Sequence, residues 1–510
     1  MLLYDVAVAS SAVGATPSRL AKREVLVDLL GRTSPDDIAV VVAYLAGELR
    51  QRRTGVGWAT LGALPEPADA ASLTVSEVDA EFERMSTLAG PGSATERAEA
   101  ARRLFARATA AEQRLLRGLV SGDVRQGALD AAMLDAIAAA SGVPLAVVRR
   151  AAMLRGSTGP VAVAALTEGV QAVGAFGLTV GQPVRPMLAA SAPDVPAALA
   201  KTGVPASLDV KLDGVRIQVH QSGDQVRVFT RSLDEITSRL PEVCDVARSL
   251  GHASVILDGE VMTLDATGRP RPFQETASRT ATHVGPDPAP AATSVLAPFF
   301  FDVLHIDGDD LIDAPLSERL ARLDDVVPAD YRIARLTTDD PDEAQRFFAD
   351  AVAAGQEGVV VKALSAPYDA GRRGSAWVKV KPRHTLDLVV LGVEWGSGRR
   401  RGWLSNIHLG ARDPTTGGFV MLGKTFKGMT DEMLAWQTER FLELEESRSG
   451  HVVVLRPVQV VEIAFDGLQR STRYPGGLAL RFARVVRYRD DKTAAEADTI
   501  DMVRGLATSS

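Results

Sequence analysis

The stretch "LDVKLDGVRIQVH" (208–220) contains a lysine that could act as a nucleophile. Lys211 lies between apolar residues and is followed at short spacing by Asp213, Gly214 and Arg216. A lysine amine attacks only when it is neutral, although its ordinary pKa is about 10.4. Nearby cations and loss of water both lower that pKa, so the surroundings decide whether such a lysine reacts. A lone K-x-D-G is more typical of a solvated charge at a strand end.

Charged residues further along the chain supply such surroundings. "LDGEV" contains Glu260, and "EGVVVK" contains Glu357 and Lys362. In "WVKVK", Lys379 and Lys381 share one face of a strand, because side chains two apart point the same way. Lys379 and Lys381 would neutralise charge during phosphoryl transfer. The carboxylates of Glu260 and Glu357 are oxygen ligands suited to Mg²⁺. Further candidates are Arg231 and Arg373 for phosphate, and Phe301 for stacking on a purine, although a phenylalanine of this kind is usually a core residue.

A second lysine motif points to a different nucleotide site. The stretch "GFVMLGKT" (418–425) fits the pattern G-x-x-x-x-G-K-[ST] of a P-loop. A P-loop is a glycine-rich turn that leads directly into a helix, whereas Phe419 to Leu422 are typical of a strand. We therefore predict that Lys424 is a strand-end lysine and that the nucleotide binds near Lys211.

The first third of the chain is predicted to be helical. Ser/Thr-x-x-Glu capping boxes begin at Thr74, Ser93 and Thr109, and Ser34 followed by Pro35 is another helix start. Apolar residues then recur at helical spacing. We predict an all-helical domain over residues 1–175.

Strand-like runs dominate the remainder. Residues 182–384 mix these runs with two helical segments, which predicts an α+β domain; a Pro/Ala-rich surface loop is expected at 284–295. Residues 385–510 contain strands interrupted by one helix near 431–444, which predicts a small β-barrel of the OB type.

Composition narrows the class of protein. The single cysteine, Cys244, excludes a disulfide framework and a zinc site built on several cysteines. The net charge of −7 counts mildly against a protein dominated by nucleic-acid contacts, although local clusters matter more than the sum. No signal peptide or membrane span is evident, so we expect a soluble cytoplasmic protein.

The order of these motifs resembles that of the ATP-dependent DNA ligases. KLDGVR, LDGEV, FDVL, EGVVVK and WVKVK match the nucleotidyltransferase motifs of that family, and "PVRPMLA" resembles the entry to its catalytic domain. The tail at 460–492 resembles the last motif, on the OB-fold domain. The helical first third resembles the DNA-binding domain of the larger ligases. The resemblance therefore implies a helical DNA-binding domain, an α+β adenylation domain and an OB-fold domain.

The resemblance also implies a role for each matching residue. Lys211 would attack the α-phosphate of ATP and form lysyl-AMP, from which AMP passes to the 5′-phosphate of a nick before the 3′-hydroxyl displaces it. Asp209, an Asp where many relatives have Glu, would contact the adenine amino group. Phe301 would stack on adenine, with its register in the run 299–301 open by one residue. The other implied contacts are Arg216, Arg231 and Glu260 for ribose or phosphate, Arg373, Lys379 and Lys381 for phosphate, and Glu260 and Glu357 for Mg²⁺.

Contacts outside the catalytic centre follow from the same resemblance. Arg125, Gln126 and Gly127 would grip the phosphates of nicked duplex DNA, which suits a sequence-independent substrate. A charge cluster on the last domain would orient pyrophosphate; it consists of Arg481, Arg484, Arg487, Arg489 and Lys492 with Asp490 and Asp491. The barrel would close and swing away about a hinge near 383–387. The implied enzyme is a monomer that encircles DNA near the bacterial nucleoid, and replication, repair and recombination all fit its activity.

Four other classes of protein compete with this interpretation. An mRNA-capping guanylyltransferase or an RNA ligase shares K-x-D-G but would lack the long helical region. An NAD-dependent DNA ligase normally carries a four-cysteine zinc module, which one cysteine cannot build. A DNA-binding protein without activity would leave the joint occurrence of the acidic and basic motifs unexplained.

Overall fold

The structure is a computed structural model that describes residues 1–51, 54–124, 129–265, 268–281, 295–369, 373–382 and 384–508. Two compact units are distinguished by their internal contacts. Unit 1 comprises 1–188, 214–333 and 365–374, and unit 2 comprises 189–213, 334–364 and 375–510. The segment 182–384, predicted as one domain, therefore contributes to both units. The predicted domain boundaries remain predictions.

The N-terminal part of unit 1 is helical, which confirms the predicted fold class for this region. Its buried core is built from leucine, valine and alanine at helical spacing, with Phe82, Phe105 and Tyr44 fully buried. The helices are α1 Leu3–Ala15, α2 Arg19–Gly31, α3 Ile38–Leu45, α4 Trp58–Leu61, α5 Val75–Thr87, α6 Ser93–Arg107, α7 Ala110–Ser121, α8 Leu129–Ser141, α9 Leu145–Arg155, α10 Gly159–Thr167 and α11 Val170–Gly174.

Two of the predicted capping boxes form and two of the predicted helix starts are wrong. Thr74 and Thr109 each cap their helix together with the glutamate three residues later. At α6 the N-cap is instead Gly92, whose φ of 87° suits glycine, so Ser93 is already helical. The start predicted at Ser34 falls later, because residues 35–37 form a turn and α3 begins only at Ile38.

The rest of the chain is rich in strands. The strands are β1 Leu188–Ser191, β2 Ala206–Lys211, β3 Val215–Ser222, β4 Gln225–Thr230, β5 Ser254–Leu264, β6 Val295–Ile306, β7 Asp309–Asp310, β8 Arg335–Thr338, β9 Gly358–Ala363, β10 Arg373–Val380, β11 His384–Trp395, β12 Leu404–Arg412, β13 Phe419–Thr425, β14 Glu445–Ser449, β15 Val452–Leu455, β16 Val460–Phe465, β17 Gly467–Arg470, β18 Leu478–Arg481 and β19 Arg484–Tyr488. The helices among them are α12 Val195–Thr202, α13 Pro241–Ser249, α14 Phe273–Ala281, α15 Leu316–Val326, α16 Pro341–Ala353, α17 Asp431–Glu443 and α18 Ile500–Thr508.

Unit 1 contains one antiparallel sheet, of order β4-β3-β5-β6-β7. Strands β4 and β5 match two of the strand-like runs of the sequence, "QVRVFT" and "SVILDGEVMTL", residue for residue. The loop predicted at 284–295 lies outside the described residues except for Val295, which begins β6. This sheet carries Arg216 on β3, Glu260 on β5 and Phe301 on β6.

Unit 2 contains a sheet of order β1-β10-β9-β2-β8, which carries Lys211 at the end of β2. It also contains the C-terminal β domain, where β13-β12-β11-β15-β14 form a sheet and β16 pairs with both β11 and β19. Strands β15 and β16 are separated by residues 456–459, where Pro457 has no N–H for a ladder. Helix α17 lies where it was predicted.

The fold class predicted from the sequence is confirmed: a helical region, an α+β region and a C-terminal OB-like β domain. Among the described residues, no helix is both long enough and apolar enough to cross a membrane.

Candidate active site

The ends of neighbouring strands in unit 2 bring the predicted nucleophile together with two of its predicted neighbours. β2 pairs with β9 so that Lys211 lies opposite Gly358, and the Glu357 N–H donates to the Lys211 carbonyl at 3.0 Å. β9 also pairs with β10, which ends next to Lys381. The Glu357 carboxylate forms ion pairs with the ammonium groups of both Lys211 and Lys381. Only 22% of the Lys211 side chain is exposed, so the pair is partly shielded from water.

Gly358 allows this close approach of the strands. Its φ of 130° is a conformation that other residues rarely adopt. A Cβ atom at this position would collide with the carbonyl oxygen of Val380 on β10. The glycine after Glu357 therefore sets the position of the glutamate beside both lysines.

Two side chains of the β domain extend the charge network at Lys381. Asp466 accepts a hydrogen bond from the Lys381 ammonium at 3.2 Å and another from Arg484 at 3.2 Å. Burial alone would lower the pKa of Lys381, but Glu357 and Asp466 outweigh it and raise that pKa. We call Lys211, Glu357, Lys381, Asp466 and Arg484 the lysine cluster; it holds three cations and two carboxylates.

Asp213 of the K-x-D-G motif is also tied to the β domain. Arg481 donates to its two carboxylate oxygens at 2.6 and 3.2 Å. The hydrogen bonds that Arg481 donates to Asp213 raise the pKa of Arg481, which keeps this guanidinium charged. Within unit 2, the motif lysine therefore pairs with a glutamate that it shares with Lys381, and the motif aspartate pairs with Arg481.

The charge cluster predicted at 481–492 is divided rather than continuous. Arg481 and Arg484 face the K-x-D-G motif and the lysine cluster, whereas Arg487 pairs with Glu462 at 2.7 Å. Arg489 and Lys492 hold Asp387 at 3.0 and 2.5 Å, and Asp490 accepts from Gln459. Asp491 binds Arg489 at 2.7 Å. The sequence spacing did not distinguish these partners, because Arg481 lies on β18, Arg484 and Arg487 lie on β19, and Arg489 follows that strand.

Four of the five residues predicted to form the hinge lie in a paired strand of the β domain. Residues 384–387 belong to β11 and pair with β16, from His384 opposite Phe465 to Asp387 opposite Glu462. Bending within these four residues would break ladder hydrogen bonds. Arg383, the first residue of the predicted hinge, lies outside the described residues.

Asp209 lies two residues before Lys211 on β2 and is buried. The Ser207 hydroxyl donates to one of its oxygens at 3.0 Å, and the Lys362 ammonium pairs with the other. Lys362 is itself buried, with its Nζ 4.3 Å from the centroid of the Trp377 ring. These contacts orient the carboxylate, and its contact with adenine remains a prediction.

A second group of predicted residues lies in unit 1. Arg216 on β3 is opposite Glu260 on β5, and Glu260 Oε1 accepts a hydrogen bond from the Gly214 N–H at 2.9 Å. A Cβ on Gly214 would lie 2.5 Å from the Val261 carbonyl oxygen, so the glycine of K-x-D-G permits this contact. The Arg216 guanidinium carbon lies 5.4 Å from the centroid of the Phe301 ring.

The other predicted residues are placed as follows. Arg231 is exposed in the turn after β4, and Lys379 lies on β10 opposite Val360. Arg373 begins β10. Arg125, Gln126 and Gly127 lie outside the described residues.

Sequence reasoning missed three side chains that hold these groups in place: Asp258, Tyr368 and Asp466. Asp258 pairs with Arg216, Tyr368 binds Asp258, and Asp466 joins the lysine cluster. Asp258 stands two residues before Glu260 in the quoted motif, which was a usable signal. Tyr368 and Asp466 carry none, because their partners are distant in sequence.

Lys424 of the P-loop-like stretch is a strand residue, as predicted. It lies on β13 and pairs with Glu394 of β11. Glu394 also accepts from Asn406 at 2.7 Å and contacts His408 at 3.0 Å. We call these four residues the barrel cluster.

Comparison with known proteins defines the class. The profile of the ATP-dependent DNA ligase domain matches residues 186–381, that of the C-terminal region matches 400–492, and that of the DNA ligase N terminus matches 62–138. The chain belongs to the ATP-dependent DNA ligase family.

Full-length relatives support this assignment. The chain is 68% identical to the "Probable DNA ligase" of Beutenbergia cavernae over 99% of its own length and 100% of the relative. It is 62% identical to the "Probable DNA ligase" of a Nocardioides species over 99% of both chains. The solved structure named Pmar-Lig_PreS3 shares the fold, with a TM-score of 0.61 and 18% identity over 95% of this chain and 99% of that one.

Proposed function

We propose that this protein seals nicks in duplex DNA with ATP, and that Lys211 is its nucleophile. The observation that carries the proposal is the position of Lys211 in K-L-D-G, at a strand end within a cluster of three cations. Membership of the ATP-dependent DNA ligase family supplies the reaction class.

In the first step, the neutral amine of Lys211 attacks the α-phosphorus of ATP. A P–N bond forms, the bond to the β-phosphate oxygen breaks, and pyrophosphate leaves. An ion pair favours a charged lysine. Glu357 therefore holds Lys211 in place before the reaction, and the amine must lose this partner and a proton to attack. Lys381 and Arg484 neutralise the phosphate charge that develops.

The remaining nucleotide contacts are assigned by motif. Asp209 accepts from the adenine amino group, and Phe301 stacks on the ring. Arg216, Arg231 and Glu260 bind the ribose or phosphate side, and Arg373, Lys379 and Lys381 bind phosphates. Arg481, held by Asp213, orients the leaving pyrophosphate.

Glu260 and Glu357 are the residues that would hold Mg²⁺. Among the described residues there is no cluster of three or more groups able to bind a metal, which fits an ion that takes one or two carboxylates and completes its shell with phosphate and water. When bound, such an ion would neutralise phosphate charge. The chain's own part is to present both carboxylates beside basic groups.

In the later steps AMP passes to the 5′-phosphate of the nick, and the 3′-hydroxyl then displaces AMP and closes the phosphodiester. The enzyme binds DNA as a monomer through phosphates, with Arg125, Gln126 and Gly127 among the contacts. It acts at the nucleoid in replication, repair or recombination.

The test is covalent labelling. The full chain is incubated with Mg²⁺ and α-labelled ATP, GTP or NAD⁺, and protein-bound label is followed. Label from ATP alone is expected, and it should be acid-labile, as a phosphoramidate is. Absence of label from ATP, or equal label on Lys211→Ala, contradicts the proposal.

The DNA contact is tested separately with Arg125→Ala. Loss of one phosphate contact should weaken binding of a nicked duplex and reduce the slope of log Kd against log salt by about 1. Self-adenylation should stay at the wild-type rate. An unchanged salt slope would remove Arg125 from the interface.

A further inference from the structure

Tyr368 lies between two buried arginine–aspartate pairs in unit 1. Asp258 on β5 and Asp302 on β6 are cross-strand neighbours, and two carboxylates so placed repel each other unless each is neutralised. Arg216 pairs with Asp258 at 2.6 and 3.0 Å, and Arg319 pairs with Asp302 at 2.7 and 3.0 Å. The Tyr368 hydroxyl donates to Asp258 at 2.7 Å, and its ring lies 5.9 Å from the Arg319 guanidinium.

The Tyr368 hydroxyl also binds the backbone of Met187, in the stretch "PVRPMLA" that resembles the entry to the catalytic domain. It accepts a hydrogen bond from the Met187 N–H at 3.0 Å, and the Met187 carbonyl accepts from Arg216 at 2.6 Å. Arg216 makes a further, longer contact of 3.3 Å to the same hydroxyl. One phenolic oxygen thus joins the strand aspartate, the guanidinium and the backbone of residue 187.

The backbone near Tyr368 is held as firmly as its side chain. The Ala366 carbonyl accepts from the Leu316 N–H at 3.0 Å and from Arg319 at 3.1 Å, and the Tyr368 N–H donates to the Ile312 carbonyl at 2.9 Å. Asp258, Asp302, Arg319 and Tyr368 are each at most 1% exposed. Arg216 differs, since 17% of its side chain reaches the surface.

These contacts place Arg216 at the exposed end of a buried polar network. Its orientation is set by Asp258 and Met187, and both of those partners are bound by Tyr368. A guanidinium fixed in this way presents its remaining surface in one direction, which reduces the entropy lost when a ligand binds.

We propose that Tyr368 is a positioning residue that sets the Arg216 guanidinium for the nucleotide. This inference rests on the proposed function, in which Arg216 binds the ribose or phosphate side of ATP. Tyr368 is not a catalytic residue, because its hydroxyl is buried among protein groups. Its effect on nucleotide binding should therefore act through Arg216 alone.

The first test compares Tyr368→Phe with Tyr44→Phe. Tyr44 is also fully buried, but within the described part of the chain its hydroxyl has no hydrogen-bond partner. Tyr368→Phe should raise the KM for ATP in self-adenylation about fivefold to tenfold, with the rate at saturating ATP within about twofold of wild type. Tyr44→Phe should change neither. A Tyr368→Phe enzyme with wild-type KM and a lower Tm would overturn the proposal and leave a structural role.

A double-mutant cycle tests whether the effect passes through Arg216. Arg216→Lys keeps the charge but not the bidentate geometry, and it should raise the KM by about tenfold or more. Adding Tyr368→Phe to Arg216→Lys should change the KM by less than about twofold. Full additivity would contradict the proposal. If the wild type itself takes no label from ATP, the proposed function fails; if it labels normally but the cycle is additive, only the role of Tyr368 fails.

Discussion

The lysine cluster and the barrel cluster share one local signature, a strand lysine paired with a glutamate from a neighbouring segment. Around Lys211, Glu357 serves two lysines, and Asp466 brings in Arg484, so cations exceed carboxylates by one. Around Lys424, one lysine faces one glutamate, and the other partners are Asn406 and His408. Burial lowers the pKa of His408, which keeps it neutral at pH 7.

The difference in net charge distinguishes a cluster that can bind a ligand from one that only stabilises the fold. A cluster with surplus positive charge has affinity for a polyanion such as ATP, whereas a balanced cluster is satisfied by the fold itself. The short lysine motifs do not show this difference, because both contain a glycine within three residues of the lysine. The residues that neutralise each lysine decide which one is reactive.

The strongest test of the comparison is to remove the proposed nucleophile of the lysine cluster. Lys211→Ala should abolish self-adenylation, a loss of at least about a thousandfold, because no other group can form the phosphoramidate. Protein-bound label from α-labelled ATP is the measurement. Sealing of a nick that already carries AMP should survive better than sealing from ATP. Residual labelling at the wild-type level would exclude Lys211 as the nucleophile.

A matched pair of glutamate changes sharpens the comparison. Glu357→Gln leaves Lys211 and Lys381 without their shared counter-ion and removes a candidate Mg²⁺ ligand, so self-adenylation should fall about a hundredfold. Glu394→Gln makes the same chemical change in the barrel cluster and should alter the rate by less than about threefold. Initial labelling rates at saturating ATP give both values. Similar losses in the two variants would show that the clusters are not functionally distinct.

Much of this contrast was predictable from the sequence. The stretch containing Lys424 reads as a strand, and the order of motifs places Lys211, Glu357 and Lys381 in one site. What the sequence does not provide is the partner of each charge. Arg484 and Arg489 are five residues apart, yet the first meets Asp466 and the second Asp387, since strand twist and a bulge between Glu462 and Ile463 set those directions.

In the helical region, too, the sequence motif alone does not determine the local structure. The boxes at Thr74 and Thr109 formed as predicted, whereas Gly92 displaced Ser93 as the cap of α6. A hydroxyl three residues before a glutamate is a necessary feature of a capping box, but the residue that carries the hydroxyl must also have an extended backbone. Ser93 is helical instead, because Gly92 takes the N-cap position in a left-handed conformation.

The barrel cluster should contribute to stability rather than to activity, and the size of its contribution should depend on pH. Burial would raise the pKa of Glu394, but hydrogen bonds from Lys424, His408 and Asn406 outweigh it and lower the pKa to about 2. A carboxylate with a lowered pKa stabilises the fold above its ordinary pKa of about 4.3, and that contribution is lost as pH falls towards 2. The contribution should be about 3 kcal/mol at pH 7 and about 2 kcal/mol at pH 3.5.

Hydrogen exchange of the β11–β13 amides in wild type and Glu394→Gln provides the measurement. The difference in local opening free energy between the two proteins should narrow as pH falls from 7 to 3.5, because the wild-type carboxylate becomes protonated in the opened state, where its pKa is ordinary, and the glutamine does not. A difference that is constant with pH would mean that Glu394 contributes through packing and not through its charge.

The smallest effect is expected for Lys424→Ala, the change that would be most damaging if the P-loop pattern were real. Glu394 keeps its contacts with Asn406 and His408 in this variant, so the β domain should lose only about 1 kcal/mol of stability. Self-adenylation should stay within about twofold of wild type, because Lys424 is not among the cations proposed to meet ATP. Labelling rates over a series of ATP concentrations are the measurement, with Lys427→Ala, a neighbouring lysine of the same β domain, as the control. If Lys424→Ala raised the KM for ATP tenfold while Lys427→Ala did not, the balanced cluster would have to be counted as part of the nucleotide site.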